Sequence, residues 1–125
     1  MLECVFCEII KERKLIIEET DAFISFYDKY PVTKGHTLVI SKDHYTSFYN
    51  LKEAEIIDLY NHINKQCSVL KKDKSISGFN IGFNDGKDAG QTVMHFHVHI
   101  IPRRKNDTNT PRGGIRGVIP SKQGY

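Results

Sequence analysis

The run His95-Phe96-His97-Val98-His99-Ile100-Ile101 constrains this chain more than any other segment. Histidine alternates with apolar residues at period two. In a β-strand successive side chains point to opposite faces, so the pattern predicts three imidazoles on one face of a strand. Met94, Phe96, Val98 and Ile100 fall on the other face, where they can seal against a core. Packing alone does not ask for histidine here, because β-branched and aromatic side chains cover a strand face better. Nor can one metal ion use all three. At roughly 3.3 Å of rise per residue, neighbouring imidazoles sit about 6.6 Å apart and the outer pair about 13 Å, whereas zinc–nitrogen bonds are about 2.0–2.1 Å. A division of labour follows, with one histidine carrying chemistry and its neighbours positioning or assisting it.

The other segments supply a small sheet and one long helix. Cys4 to Ile10 leads into a short N-terminal helix. Leu15–Glu18 and Ala22–Tyr27 read as paired strands around a Glu19-Thr20-Asp21 turn, and His36–Ser41 is a β-branched-rich strand. Ile56, Leu59, Tyr60, Ile63, Cys67 and Leu70 recur at helical spacing, with Asn50 and Glu53 arranged like a cap. Cys67 lies on the apolar stripe and reads as a core residue, while His62 lies off it and reads as solvated. Gly78–Asn84 is a further strand, and the histidine strand ends at Pro102. The predicted fold is α+β: an antiparallel sheet of about five strands with one long and one short helix. The 125 residues suit a single domain, 1–125, with a basic tail from about residue 104.

Composition narrows the partners. The formal net charge is +3, and the basic residues Arg103, Arg104, Lys105, Arg112, Arg116 and Lys122 cluster late in the chain. Without interleaved aromatics this is no nucleic-acid patch. It would suit a phosphate chain or a solvated tail. No apolar stretch approaches a membrane span, and no signal-peptide pattern opens the chain. A cytoplasmic location is therefore expected, with Cys4, Cys7 and Cys67 as thiols or metal ligands rather than disulfides. Cys4-x-x-Cys7 has zinc-ligand spacing, and a closed site would need two more ligands, for which His44 and His95 are candidates.

The loop Asn84-Asp85-Gly86-Lys87-Asp88-Ala89-Gly90-Gln91-Thr92 runs directly into the histidine strand. Its glycines let backbone N–H groups approach an anion, and Asn84, Gln91 and Thr92 add neutral donors. Taken with this loop, the stretch Gly90 to Ile101 resembles the signature of the histidine triad (HIT) superfamily, His-φ-His-φ-His-φ-φ with φ apolar. Phe26-Tyr27-Asp28, Pro31, His36 to Ile40 and Lys42-Asp43-His44 fall in the order and spacing of that family, and the resemblance runs from Cys4 to Arg103.

The resemblance implies a nucleotide hydrolase or transferase. Such enzymes cleave at the α-phosphorus of a nucleotide through a covalent nucleotidyl-histidine, here on His97. It further implies that His99 and Thr92 contact the α-phosphate and leaving group, and that Asn84, Gly90 and Gln91 help hold the phosphate. Asp28 matches a ribose-binding acid, and Phe6, Ile9, Phe26 and Leu38 match the apolar walls around a purine base. His36 matches a histidine near the nucleophile. Lys29 departs from the pattern, since relatives often carry an apolar residue there. In the zinc-bearing branch, the positions of Cys4, Cys7, His44 and His95 form a structural zinc site, and no catalytic metal is required. A homodimer is also implied; neither nucleic acid nor membrane is. Substrates of two kinds fit: nucleoside phosphoramidates, and dinucleoside polyphosphates whose extra phosphates the basic tail would grip. A nucleotide-binding or scaffolding module is the non-catalytic alternative, though a pure binder has no need of His97.

Overall fold

The computed structural model describes residues 4–125. Five strands form one antiparallel sheet in the order β1-β2-β3-β5-β4: β1 Glu18–Glu19, β2 Phe23–Tyr27, β3 Thr37–Ser41, β4 Ile76–Gly82 and β5 His97–Arg104. Two helices, α1 Val5–Glu12 and α2 Glu53–Leu70, complete an α+β fold of the predicted kind.

The two faces of the sheet carry separate cores. Phe23, Val39, Phe96, Val98 and Ile100 pack with Leu59, Cys67 and Leu70 of α2. On the opposite face Ile24, Phe26, Leu38 and Ile40 pack with Phe6 of α1. Burying a side chain of this size contributes about 1.5–3 kcal/mol each. The register puts Leu38 opposite His99 and Ile40 opposite His97, so the last two triad histidines share the α1 face.

Several elements differ from the sequence-based expectation. Strand β1 shrinks to two residues because Arg13 and Leu15 both adopt left-handed backbone, at φ of 53° and 68°, and the chain is still turning there. The first cap belongs to Ser47 and Asn50, which close a 3-10 turn at Phe48–Asn50; α2 starts afterwards, with Glu55 accepting from the Lys52 amide at 2.9 Å. Strand β5 begins at His97, so Met94 to Phe96 form the approach to it, and Met94 is half exposed instead of sealing a core. The strand also runs through Pro102. Strand β3 pairs only as far as Ile100, and the Pro102 carbonyl on that side accepts from the Thr33 hydroxyl at 2.7 Å. The missing N–H therefore faces a position where no strand needs it.

His62 corrects a second expectation. It is fully buried, with Thr20 Oγ1 at 2.8 Å from Nδ1 and Ser25 Oγ at 2.9 Å from Nε2. A polar network beneath α2 replaces the apolar contact that the helical stripe would have required. Asp58 joins it by accepting from Thr20 Oγ1 and the Ala22 amide.

Candidate active site and metal centre

Hydrogen bonds to backbone assign the tautomers of the triad. His97 Nδ1 lies 2.8 Å from the carbonyl of His95, so Nδ1 carries the proton. Its Nε2 keeps a lone pair and bonds no group among the described residues. Among the described residues the one fully buried unpartnered side-chain nitrogen or oxygen is Gln66 Nε2, so the free nitrogen of His97 reaches solvent.

A second chain of bonds fixes His99. The Val32 amide donates to His36 Nδ1 at 3.0 Å, which leaves the proton on His36 Nε2. That group donates to His99 Nδ1 at 2.9 Å, so neutral His99 presents an N–H at Nε2. Burial, helped by the neighbouring His97 and His36, pushes the His99 imidazole down to about 4. His36 is lowered mainly by burial, against the pull of Asp28. Asp28 Oδ2 stands 3.4 Å from His36 Nε2, while its Oδ1 accepts from the Tyr30 amide at 2.9 Å. Asp28 thus shapes its own turn and also faces the histidine pair. Asp28, His36 and His99 bring their ligand-capable atoms within 4.8 Å of one another.

The apolar residues assigned to the base come together around helix α1. The Phe6 ring lies 5.0 Å from His97 and 5.8 Å from Phe26, edge on in both cases. Leu38 belongs to the same cluster, with Ile9 packed against it. A carbon wall therefore stands beside the His97 ring.

The loop after β4 is built by Gln91. Its buried side chain accepts from the Gly86 amide at 2.8 Å and donates to the carbonyls of Thr46 and Val93. Its amide is thus spent on the loop, which corrects the expectation of a free donor at this position. Thr92 is exposed. Gly90 turns the chain at φ 93°, with Asn84 Nδ2 beside it, 3.9 Å from where a Cβ would stand.

His95 looks the other way. Its Nε2 lies 2.7 Å from the Ser41 carbonyl and so carries the proton, and Nδ1 is left as a lone pair. That nitrogen is 3.4 Å from Cys4 Sγ, 3.6 Å from Cys7 Sγ and 3.1 Å from His44 Nδ1; His44 Nδ1 is 3.1 Å from Cys7 Sγ. A tetrahedron with zinc–nitrogen bonds of about 2.0–2.1 Å and zinc–sulfur bonds of about 2.3 Å has edges of roughly 3.3–3.8 Å. The four donor atoms fall close to that size, and their type suits a closed structural zinc. The Ser41 carbonyl supplies the outer bond that orients a ligating histidine.

Two backbone contributors, the Val32 amide and the Ser41 carbonyl, escaped the sequence reading because no side chain announces them.

Comparison with known proteins bears on the family and the fold. A model of the HIT domain family matches residues 11–106. An uncharacterized HIT-like protein of Saccharolobus solfataricus is 35% identical over 122 residues, 96% of this chain and 85% of its own length. An asymmetrical bis(5'-nucleosyl)-tetraphosphatase of Schizosaccharomyces pombe is 41% identical over 92 residues, 74% of this chain but 50% of its own. An adenosine 5'-monophosphoramidase of Candida albicans is 35% identical over 113 residues, covering 84% of this chain and 73% of its own. Among solved structures, a Zn-bound histidine triad family protein from Mycobacterium smegmatis superimposes with a TM-score of 0.78 at 33% identity, covering 86% and 80% of the two chains. The chain belongs to the HIT family.

Proposed function

We propose that this chain hydrolyses or transfers at the α-phosphorus of a purine nucleotide, through a nucleotidyl intermediate on His97, and releases the nucleoside monophosphate. The observation that carries this is the bond from His97 Nδ1–H to the His95 carbonyl. It holds the imidazole in the tautomer whose Nε2 is nucleophilic at neutral pH. In the first step Nε2 forms a bond to phosphorus, and the leaving group departs with the electron pair of the bond that breaks. His99 Nε2–H donates to the bridging atom and stabilises the charge that develops there. Water then opens the labile nitrogen–phosphorus bond, its hydroxyl going to phosphorus and its remaining proton balancing the one taken up by the leaving group, and His97 returns to its starting tautomer. His36 is a positioning residue that acts through His99. Asp28 accepts from the ribose hydroxyls; Phe6, Ile9, Phe26 and Leu38 enclose the base; Asn84, Thr92 and the backbone at Gly90 and Gln91 hold the phosphate.

Cys4, Cys7, His44 and His95 would hold a structural zinc. Bound there, it would tie α1 to the approach of β5 and supply no chemistry to the substrate. The functional unit is a homodimer, as the family resemblance implies.

The test is AMP release from adenosine phosphoramidate and from a diadenosine polyphosphate, followed by chromatography, with His97→Ala as control. Turnover that survives in His97→Ala overturns the mechanism. AMP binding without turnover in the unaltered protein would make the chain a nucleotide-binding module.

A further inference from the structure

The segment beyond Arg104, which the sequence left as a basic tail, is a built element. It forms 3-10 turns at Gly114–Val118 and Pro120–Lys122. It walls a cavity of about 660 Å³ beside His36 and His99, on the α1 side of the sheet. Its arginines are engaged within it: Arg112 and Arg116 stack on the Tyr125 ring at 4.7 and 4.8 Å. That cavity belongs to the candidate active site. Another cavity, of about 410 Å³, opens on the α2 side, and no residue of the proposed reaction lines it.

The sheet register builds this α2-side cavity. Alternate residues of a strand share a face, so Arg104 lies on the side of Val98 and Ile100, with its partner Ile76 beside it. Val69 and Leu70 end α2 above them. Gly35, at φ 94°, lets the chain come close: a Cβ there would stand 3.3 Å from both Leu70 Cδ2 and Pro102 Cγ. Tyr27 and Val69 stand exposed at the mouth. The walls are therefore largely carbon, and the volume lies within the range of small-molecule sites, about 300–1,000 Å³.

The charge of this cavity decides what it suits. Its charged lining residues are Lys34, Asp73 and Arg104. Asp73 is satisfied: Oδ1 accepts from the Ser75 amide and hydroxyl at 3.0 and 2.7 Å, and Oδ2 from Arg104 Nη2 at 3.1 Å. Arg104 Nε donates to Ser75 Oγ at 2.8 Å, which leaves Nη1 without a partner among the described residues. Lys34 forms no ion pair among them either. Lys71, Lys72, Lys74 and Lys105 flank Asp73 and Arg104 in sequence and add positive potential. A helix C-terminus opposes an anion, but here the carbonyls of Cys67, Val69 and Leu70 accept from the amides of Lys71, Lys72 and Asp73. An open ammonium and an open guanidinium nitrogen thus stand beside a carbon wall.

We propose that this cavity is a binding site, separate from the candidate active site, for an organic monoanion that joins an aromatic ring to a carboxylate. The ring lies against Tyr27 and Val69 and covers Leu70 and Ile76, and the carboxylate is taken by Lys34 and Arg104 Nη1. Burying the ring against carbon supplies the affinity. The two cations supply the preference for an anion. A phosphate dianion fits less well, because the Asp73 carboxylate stands in the same wall and only two cationic groups are open. The inference stands apart from the hydrolase reading, since none of these residues acts in it.

The test is a titration of the full chain with 3-phenylpropionate, followed by amide NMR with AMP present in excess. Shifts are expected at Gly35, Leu70 and Ile76, with a Kd of about 1 mM, ordinary for a ligand of this size. The uncharged 3-phenylpropanamide, and inorganic phosphate, which carries charge without a ring, should each bind about tenfold more weakly. Lys34→Glu reverses an exposed charge and should weaken 3-phenylpropionate by about fivefold. Val69→Asp puts a carboxylate in the mouth and should remove the shifts. No shift, or shifts only around Phe6, Asp28 and His99, overturns the site. Equal binding of the amide or of phosphate overturns it as well, and so do shifts at Gly35 and Leu70 that survive unchanged in both variants. AMP release is a separate readout: its loss bears on the hydrolase reading and leaves this site standing.

Discussion

Both faces of the sheet bury histidine, and they use it in opposite ways. Under α2, His62 has a hydroxyl on each ring nitrogen, from Thr20 and Ser25, and nothing is left to react. On the α1 face each triad histidine has one nitrogen fixed and one left open. His97 is fixed by the His95 carbonyl, His95 by the Ser41 carbonyl, and His99 by His36. Burial is equal for His62 and His95, both at 0% exposure, so burial does not separate structure from chemistry. The separating property is the unspent lone pair or N–H. On His97 that free nitrogen reaches solvent, where a substrate can meet it.

Several substitutions would break or sharpen this contrast. The largest effect belongs to the open nitrogen of His97. His97→Ala should lower turnover by about 10⁴-fold or more, with AMP affinity, read by calorimetry, changed only a few-fold. His36→Ala should cost about tenfold to a hundredfold in kcat, the scale of a misplaced proton donor. Its partial rescue in His36→Gln, whose side-chain amide can still donate, would identify positioning as the role.

The closed histidine should behave in the reverse sense. His62→Leu leaves the Ser25 hydroxyl without its partner and takes one bond from Thr20, which keeps Asp58, and should destabilise the fold by about 1–3 kcal/mol. Urea unfolding measures that loss, while kcat at a temperature well below melting should stay within about twofold.

Removal of the metal is expected to act on stability too. Cys4→Ala should abolish the zinc found by elemental analysis and lower the melting temperature by several degrees. A chelator added to the folded protein should leave the initial rate unchanged. A rate that vanishes at once would make the metal catalytic.

The smallest effect is the dependence of stability on pH. Burial lowers the His62 pKa from its ordinary 6.5. Below 6.5 the unfolded chain binds the proton more readily than the folded one, so stability rises with pH in that window and is lost on acidification. Above 6.5 His62 adds no slope. Melting curves from pH 7 to 5 should show the fall, and His62→Gln should make it shallower, the remaining slope coming from His36 and His99, whose pKa values burial also lowers.

The legibility of the site follows the same division. The triad, the C-x-x-C pair and the apolar walls announce themselves because the proposed roles rest on their own side chains. Gln91 and His62 did not, because their roles depend on which backbone or hydroxyl groups lie opposite them. Gln91 looks like a free donor until the Gly86 amide and the carbonyls of Thr46 and Val93 are seen to consume it. His62 falls off the apolar stripe, and only the approach of β2 and Thr20 shows that a polar network closes over it. Pro102 looked like a stop because the strand's neighbours, and which of its edges goes unpaired, are not written locally.

By itself, then, the sequence determined the period-two alternation, and with it a strand that separates histidines from core. It also determined the long helix and the donor types at the candidate metal centre. These are properties of side-chain identity and spacing along one chain. The tertiary structure alone decided which nitrogen of each imidazole is free, and where the last arginines go. It also decided that the segment after Arg104 walls a cavity instead of trailing in solvent. Hydrogen-bond partners and charge pairs are drawn from residues distant in sequence, such as Val32 for His36 and Tyr125 for Arg112. Local pattern carries no information about which distant group will arrive.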